Sequence, residues 1–113
     1  MSRFAQLPDP PYYVVVFSAQ RSADDPAYDA MAAEMVKIAM SQPGCLGMES
    51  ARDPDGFGIT NSYWRSEEDI AAWKAQARHR VAQHLGATRW YDSYSLRVAR
   101  VERAYTGPRT IPD

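Results

Sequence analysis

The sequence predicts an α+β domain of βαββαβ order, an antiparallel sheet with two helices on one face. Three observations carry that expectation. Residues Tyr12 to Phe17 read Tyr-Tyr-Val-Val-Val-Phe, an aromatic and β-branched run suited to a pleated ladder. Two amphipathic stretches begin near Pro26 and Glu67, each preceded by residues that cap helices. Between them, Asp53-Pro54-Asp55-Gly56 is a turn flanked by two short strand-like runs. At 113 residues the chain suits one domain with one core.

Residues 1–11 contain Pro8, Pro10 and Pro11, whose missing donors and fixed φ suit a flexible arm. The first strand runs from Tyr12 to near Gln20. It is continuously apolar rather than alternating, so both of its faces are expected to be buried. Asp24-Asp25-Pro26 starts the first helix, with an Asp as cap and Pro at the first helical position. Tyr28, Met31, Ala32, Met35, Ile38 and Ala39 form its apolar stripe, and Pro43-Gly44 ends it.

Cys45 to Arg52 and Gly58 to Arg65 read as a hairpin across the Asp53–Gly56 turn. Ser66 caps the second helix, and Glu67, Glu68 and Asp69 favour the positive end of its dipole. Ile70, Trp73, Ala77, Val81, His84 and Leu85 share one face of it, and Gly86 stops it. Trp90-Tyr91-Asp92 reads as a connector and Tyr94 to Tyr105 as the last strand. The domain thus spans residues 12–105, followed by an irregular tail at 106–113.

This order is the split βαβ, or ferredoxin-like, plan. Right-handed crossovers place both helices on one face, with the first and third strands central. The other face would be bare in a monomer, yet the first strand is apolar on both sides. The same sheet of a second subunit would cover it in a two-fold homodimer. A monomer that uses its arms as a lid is the alternative.

Formal net charge is −1, with 24% charged residues, so there is no basic footprint for nucleic acid. RNA-binding modules share the βαββαβ plan but need a Gly-Phe/Tyr-rich third strand. Here that strand reads Gly58-Ile59-Thr60-Asn61-Ser62-Tyr63-Trp64. No apolar run approaches the ~18 residues of a membrane span. Met1 to Pro11 has no apolar signal core, and Cys45 is the single cysteine, which together point to the cytoplasm. There is no Ser-His-Asp arrangement, phosphate-cradling Gly loop or CxxC motif.

The stretch Gln42-Pro43-Gly44-Cys45-Leu46-Gly47-Met48-Glu49-Ser50, the segment Gly58 to Glu68, and Trp73-Lys74 resemble the antibiotic biosynthesis monooxygenase superfamily. Trp90-Tyr91 and the run Arg97 to Arg103 continue the likeness to its uncharacterised bacterial branch. The resemblance implies a dimeric α+β barrel with a pocket in each subunit between sheet and helices. Its quinone-forming branch oxidises polycyclic phenols with oxygen and neither flavin nor metal. That branch carries an Asn four residues before the Trp matching Trp64, where this chain has Thr60. Asn61 is adjacent but faces the other way on a strand. The heme-degrading branch has a Trp matching Trp73 and a ligating His ten residues later, where this chain has Gln83. His84 is one residue, or ~100°, away. The strand-1 pocket Asn of that branch has Ser18 and Gln20 as its nearest polar counterparts.

His84 on the inward stripe would act as a base near neutral pH, or sit at the core edge bonded to a carbonyl. His79, between Arg78 and Arg80, faces solvent. The five-residue offset of the two histidines is not that of a zinc helix, and no metal site is expected. Trp64, Trp73, Trp90, Tyr63, Tyr91 and Tyr94 either form core or wall a pocket for a flat apolar ligand. One of Arg97 and Arg100 would stabilise an enolate or phenolate in that cleft, or pair on the surface.

The expected site therefore has His84, Thr60 and Arg97 as catalytic residues. Trp64, Trp73, Tyr63, Tyr94 and Trp90 are the ligand-binding ones. The expected function is a cofactor-independent monooxygenase acting on a small, flat aromatic or polyketide-like ligand. A non-catalytic ligand-binding or stress-related module and a heme-binding monooxygenase are the alternatives.

Overall fold

The computed structural model describes residues 3–21, 26–84 and 91–108, with backbone alone at 26–29, 31, 78–84, 91 and 92. The elements are β1 (Tyr12–Arg21), α1 (Pro26–Ser41), β2 (Cys45–Arg52), β3 (Phe57–Trp64), α2 (Glu67–His84) and β4 (Tyr91–Val101). The strands form one antiparallel sheet in the order β2-β3-β1-β4. This is the expected ferredoxin-like α+β fold, with β1 and β3 central.

The β2–β3 hairpin is set by Asp53. Its Oδ1 accepts from the amides of Asp55 and Phe57, each at 2.9 Å. Its backbone pairs with Phe57 O at 2.8 Å, and Gly56 turns the chain at φ +90°, a region open to glycine. Gln20 Nε2 donates to Asp55 O at 2.8 Å, tying the end of β1 to the hairpin tip.

At the start of α2, Ser66 Oγ accepts from the Asp69 amide at 3.2 Å and meets the Asp69 carboxylate at 2.8 Å. Ser66 thus caps the first turn of α2 and its hydroxyl donates to the Asp69 carboxylate, which holds it in place. Gly44 lies beside it: a Cβ there would overlap the Asp69 carboxylate, and its carbonyl accepts from Arg65 N at 2.9 Å. The Pro43-Gly44 turn is therefore packed against the cap of the other helix.

Side chains alternate along each strand, so the register assigns faces. Val15 packs with Ala39 of α1, Ile70 of α2 and Trp64, which identifies the helix side. Tyr13, Val15 and Phe17 of β1 share it with Trp64, Ser62 and Thr60 of β3 and with Val98, Leu96 and Tyr94 of β4. The open face carries Tyr12, Val14 and Val16, then Tyr63, Asn61 and Ile59, then Glu49, then Arg97 and Ala99. Val15 and Tyr12 are buried on opposite faces, as the unbroken apolar run of β1 implied.

Some boundaries differ from the sequence expectation. β4 begins at Tyr91, so Tyr91 and Asp92 belong to the strand and not to a connector. The ladder with β1 continues past a register shift at Gln20/Arg21 and pairs Arg21 with Tyr91. β4 ends at Val101 rather than Tyr105, because its partner there is Tyr12, the first residue of β1. Pro10 and Pro11, lacking amide donors, cannot extend the ladder further. β3 is shifted by one residue from the expected Gly58–Arg65.

The proline-containing arm lies along β2 on the open face. Ala5 N donates to Glu49 Oε2 at 3.0 Å, and Ala5 and Leu7 pack where Gly47 has no side chain.

Candidate functional site

The helix side of the sheet gathers most of the aromatic residues singled out above. Trp64 and Trp73 are stacked, with ring centroids 5.1 Å apart and planes at 30°. Trp64 is 0% exposed, and its Nε1 donates to the buried Ser62 Oγ at 2.9 Å. It is a core residue whose ring backs Trp73. Trp73 is half-buried, and its Nε1 is buried without an acceptor. An unmet buried donor costs ~1–3 kcal/mol. Thr60, also half-buried, lies on the same face and pairs with Phe17 across the ladder.

α1 packs on β2 and α2 on β3, covering one half of this face. On the other half, Phe17 and Tyr94 have ring centroids 5.7 Å apart. Tyr94, Leu96 and Val98 are 67%, 36% and 44% exposed, although all three face the helix side. A row of large apolar side chains thus stands uncovered beside the tryptophan pair.

The structure therefore brings Thr60, Trp64, Trp73 and Tyr94 to one face. It places Tyr63 and Arg97 on the other. Tyr63 is the strand neighbour of Trp64, and Arg97 pairs with Val16 of the open face, so alternation turns both away from the helix side. Of the two β4 arginines, Arg100 is on the helix side, exposed and 3.8 Å from Glu102. The backbone of His84 ends α2, but its side chain and all of Trp90 lie outside the described residues.

Tyr63 has a different setting. Its hydroxyl donates to Glu49 Oε1 at 2.6 Å, and its ring meets Tyr12 edge-on at 5.9 Å. Burial first, then the Glu49 carboxylate, push its pKa up to about 12. Nearby, a shallow concavity of about 610 Å³ is lined by Arg3, Phe4, Glu49, Ser50, Ala51, Ile59 and Asn61. Asn61 Oδ1 is buried there without a donor. The sequence signalled this site only through the outward turn of Asn61; the arm that walls it is a long-range contact.

Among the described residues no group of three or more His, Cys, Asp or Glu is placed to hold a metal. No described helix is long and apolar enough to cross a membrane. The imidazole side chains of His79 and His84 lie outside the described residues. Burial raises the Cys45 thiol, which disfavours its ligating thiolate form.

A four-stranded antiparallel sheet with two helices over half of one face, and apolar side chains uncovered on the rest, defines a ferredoxin-like α+β domain. The chain belongs to the family described as antibiotic biosynthesis monooxygenase, whose pattern it matches over residues 11–85. It is 46% identical over 103 residues to the uncharacterised protein YqjZ of Bacillus subtilis (strain 168), covering 91% of this chain and 90% of that one.

SnoaB, a cofactor-independent oxygenase from Streptomyces nogalater, superposes with a TM-score of 0.65 at 15% identity, covering 92% of this chain and 100% of its own. MhuD, in a mutant form with two manganese protoporphyrin IX bound per active site, superposes at 0.63 and 22% identity, covering 84% and 99%. At these identities the two structures show the fold alone.

Proposed function

We propose that this chain is a cofactor-independent monooxygenase-like protein that holds a small, flat aromatic or polyketide-like ligand on the helix side of its sheet. The observation that carries the reading is the uncovered row Tyr94, Leu96 and Val98, next to Phe17 and the stacked Trp64–Trp73 pair. Such walls accept a planar ring system and exclude water from it. Trp73 Nε1, a buried donor without an acceptor, and the Thr60 hydroxyl are the polar groups on this face suited to a ligand oxygen. A donor placed there stabilises a phenolate as it forms.

In this reading the substrate carries the electrons. An anthrone-type phenol loses a methylene proton and its carbanion reacts with oxygen. One oxygen atom ends as a ring carbonyl, and the other leaves as water with the two methylene hydrogens. His84, on the last turn of α2, is the proposed proton acceptor. The match to the antibiotic biosynthesis monooxygenase family over residues 11–85 supports this chemistry over that of a passive module.

The working unit in this proposal is a cytoplasmic homodimer joined through the open face. Its support is the apolar character of Val14, Val16, Ile59 and Phe57 there, the last two 41% and 44% exposed.

Titration with an anthrone-type phenol, followed by oxygen uptake in the presence of a metal chelator, tests the function. Binding with chelator-insensitive uptake is expected. Binding without uptake would instead support the non-catalytic module. Heme binding with a Soret shift lost in His84→Ala would support the heme reading.

A further inference from the structure

We infer that the open face pairs with a second copy in one orientation, in which Arg97 of each chain enters the concavity of the other. This rests on the homodimer reading above and adds its register and its polar contacts.

Glu49, Asn61, Val16 and Arg97 form one transverse row across the open face. Each is the ladder partner of the next, from β2 through β3 and β1 to β4. With strands ~4.8 Å apart, the row is ~14 Å long. Its two ends carry opposite charges. Arg97 is exposed and makes no ion pair among the described residues.

At the acidic end, where Arg3 of the same chain also lines the concavity, acceptor sites are left open. Asn61 Oδ1 is buried with none, and Glu49 accepts one bond from Tyr63 and one from Ala5. A carboxylate has about four acceptor sites, so two remain. The concavity above these groups holds about 610 Å³. A guanidinium, with five donors in a planar fork, matches that demand.

The symmetry selects the donor. A two-fold axis running along the strands between β1 and β3 exchanges the ends of the row. The partner's Arg97 then lies over Glu49 and Asn61, and the reciprocal contact forms at the other end. A two-fold axis lying across the strands along this row would set Arg97 on Arg97. Like charges face to face oppose that arrangement, so the first is favoured.

The arm fits the same packing. It occupies the space over Gly47 on the open face of β2. The β4 positions that would lie above it, Ser93, Ser95 and Ala99, are small. Sheets stack ~10 Å apart, which leaves room for one extended segment between Gly47 and such a strand.

Sedimentation equilibrium of the full chain at low salt provides the test. Arg97→Glu alone and Glu49→Arg alone should each raise the dimer dissociation constant ~10-fold or more. An equimolar mixture of the two variants should dimerise nearly as tightly as the wild type, because both contacts of the mixed dimer are oppositely charged. Circular dichroism checks that each variant is folded, and Asn61→Arg replaces Glu49→Arg if loss of the arm contact unfolds the chain. Variants that dimerise like the wild type, or a mixture no tighter than its components, would overturn the inference while leaving the dimer intact. A wild-type chain that sediments as a monomer would overturn the dimer reading itself.

Discussion

Trp73 is stacked on Trp64 at a centroid distance of 5.1 Å, yet only Trp64 is fully buried. One ring is core and the other stands half-buried at its edge. Trp64→Ala should therefore create a core cavity and cost ~3–5 kcal/mol of stability, read as a lower urea midpoint. Trp73→Phe keeps the stacking and removes the unmet Nε1 donor. It should leave the midpoint within ~1 kcal/mol of wild type and weaken ligand binding instead.

Gly44 and Asp69 make a second test of packing across the helices. A Cβ at Gly44 overlaps the Asp69 carboxylate, which accepts from the Ser66 hydroxyl that caps α2. Gly44→Ala should displace that cap and destabilise the fold by ~1–3 kcal/mol. Ser66→Ala removes the cap without overlap and should cost ~1 kcal/mol. Thermal unfolding of the two variants should rank them in that order.

Tyr63 links stability to high pH. Its pKa is raised from 10.0 to about 12, chiefly by burial and by Glu49. The folded state therefore holds the phenol proton more tightly than the unfolded chain. That contribution is complete below pH 10 and is lost as pH rises from 10 toward 12. Taken in full the shift would be worth ~3 kcal/mol. The ring is only half-buried, and solvent screening reduces this to ~1 kcal/mol or less. In an ultraviolet difference titration one of the seven tyrosines should ionise near pH 12, and Tyr63→Phe should remove that step.

Cys45 packs against the core, with its sulfur 3.9 Å from Met40 Sδ. Its raised pKa keeps the thiolate scarce at neutral pH. Alkylation by iodoacetamide at pH 7 should be slower than for a free cysteine and should approach that rate in urea.

Element types were legible because each rests on a local pattern. The unbroken apolar run of Tyr12 to Phe17, the Asp53–Gly56 turn and the stripe through Ile70 and Trp73 are readable from neighbours in the chain. The candidate site was only half legible. Thr60 and Trp64, four apart on one strand, were placed together correctly by the period of two. Tyr63 and Arg97 lie on the opposite face, because the face of a strand depends on register with distant partners. The end of β4 depended on where β1 begins, and the arm on a bond between Ala5 and Glu49, 44 residues apart.

The central claim is that the ligand lies on the helix side of the sheet. Tryptophan fluorescence titration with an anthrone-type phenol tests it when wild type, Leu96→Glu and Ala51→Glu are compared. Leu96 belongs to the uncovered helix-side row, and Ala51 lines the concavity of the open face. The account expects wild-type binding to survive Ala51→Glu and to weaken ~10-fold or more in Leu96→Glu. Binding that survives Leu96→Glu and is lost in Ala51→Glu would contradict it.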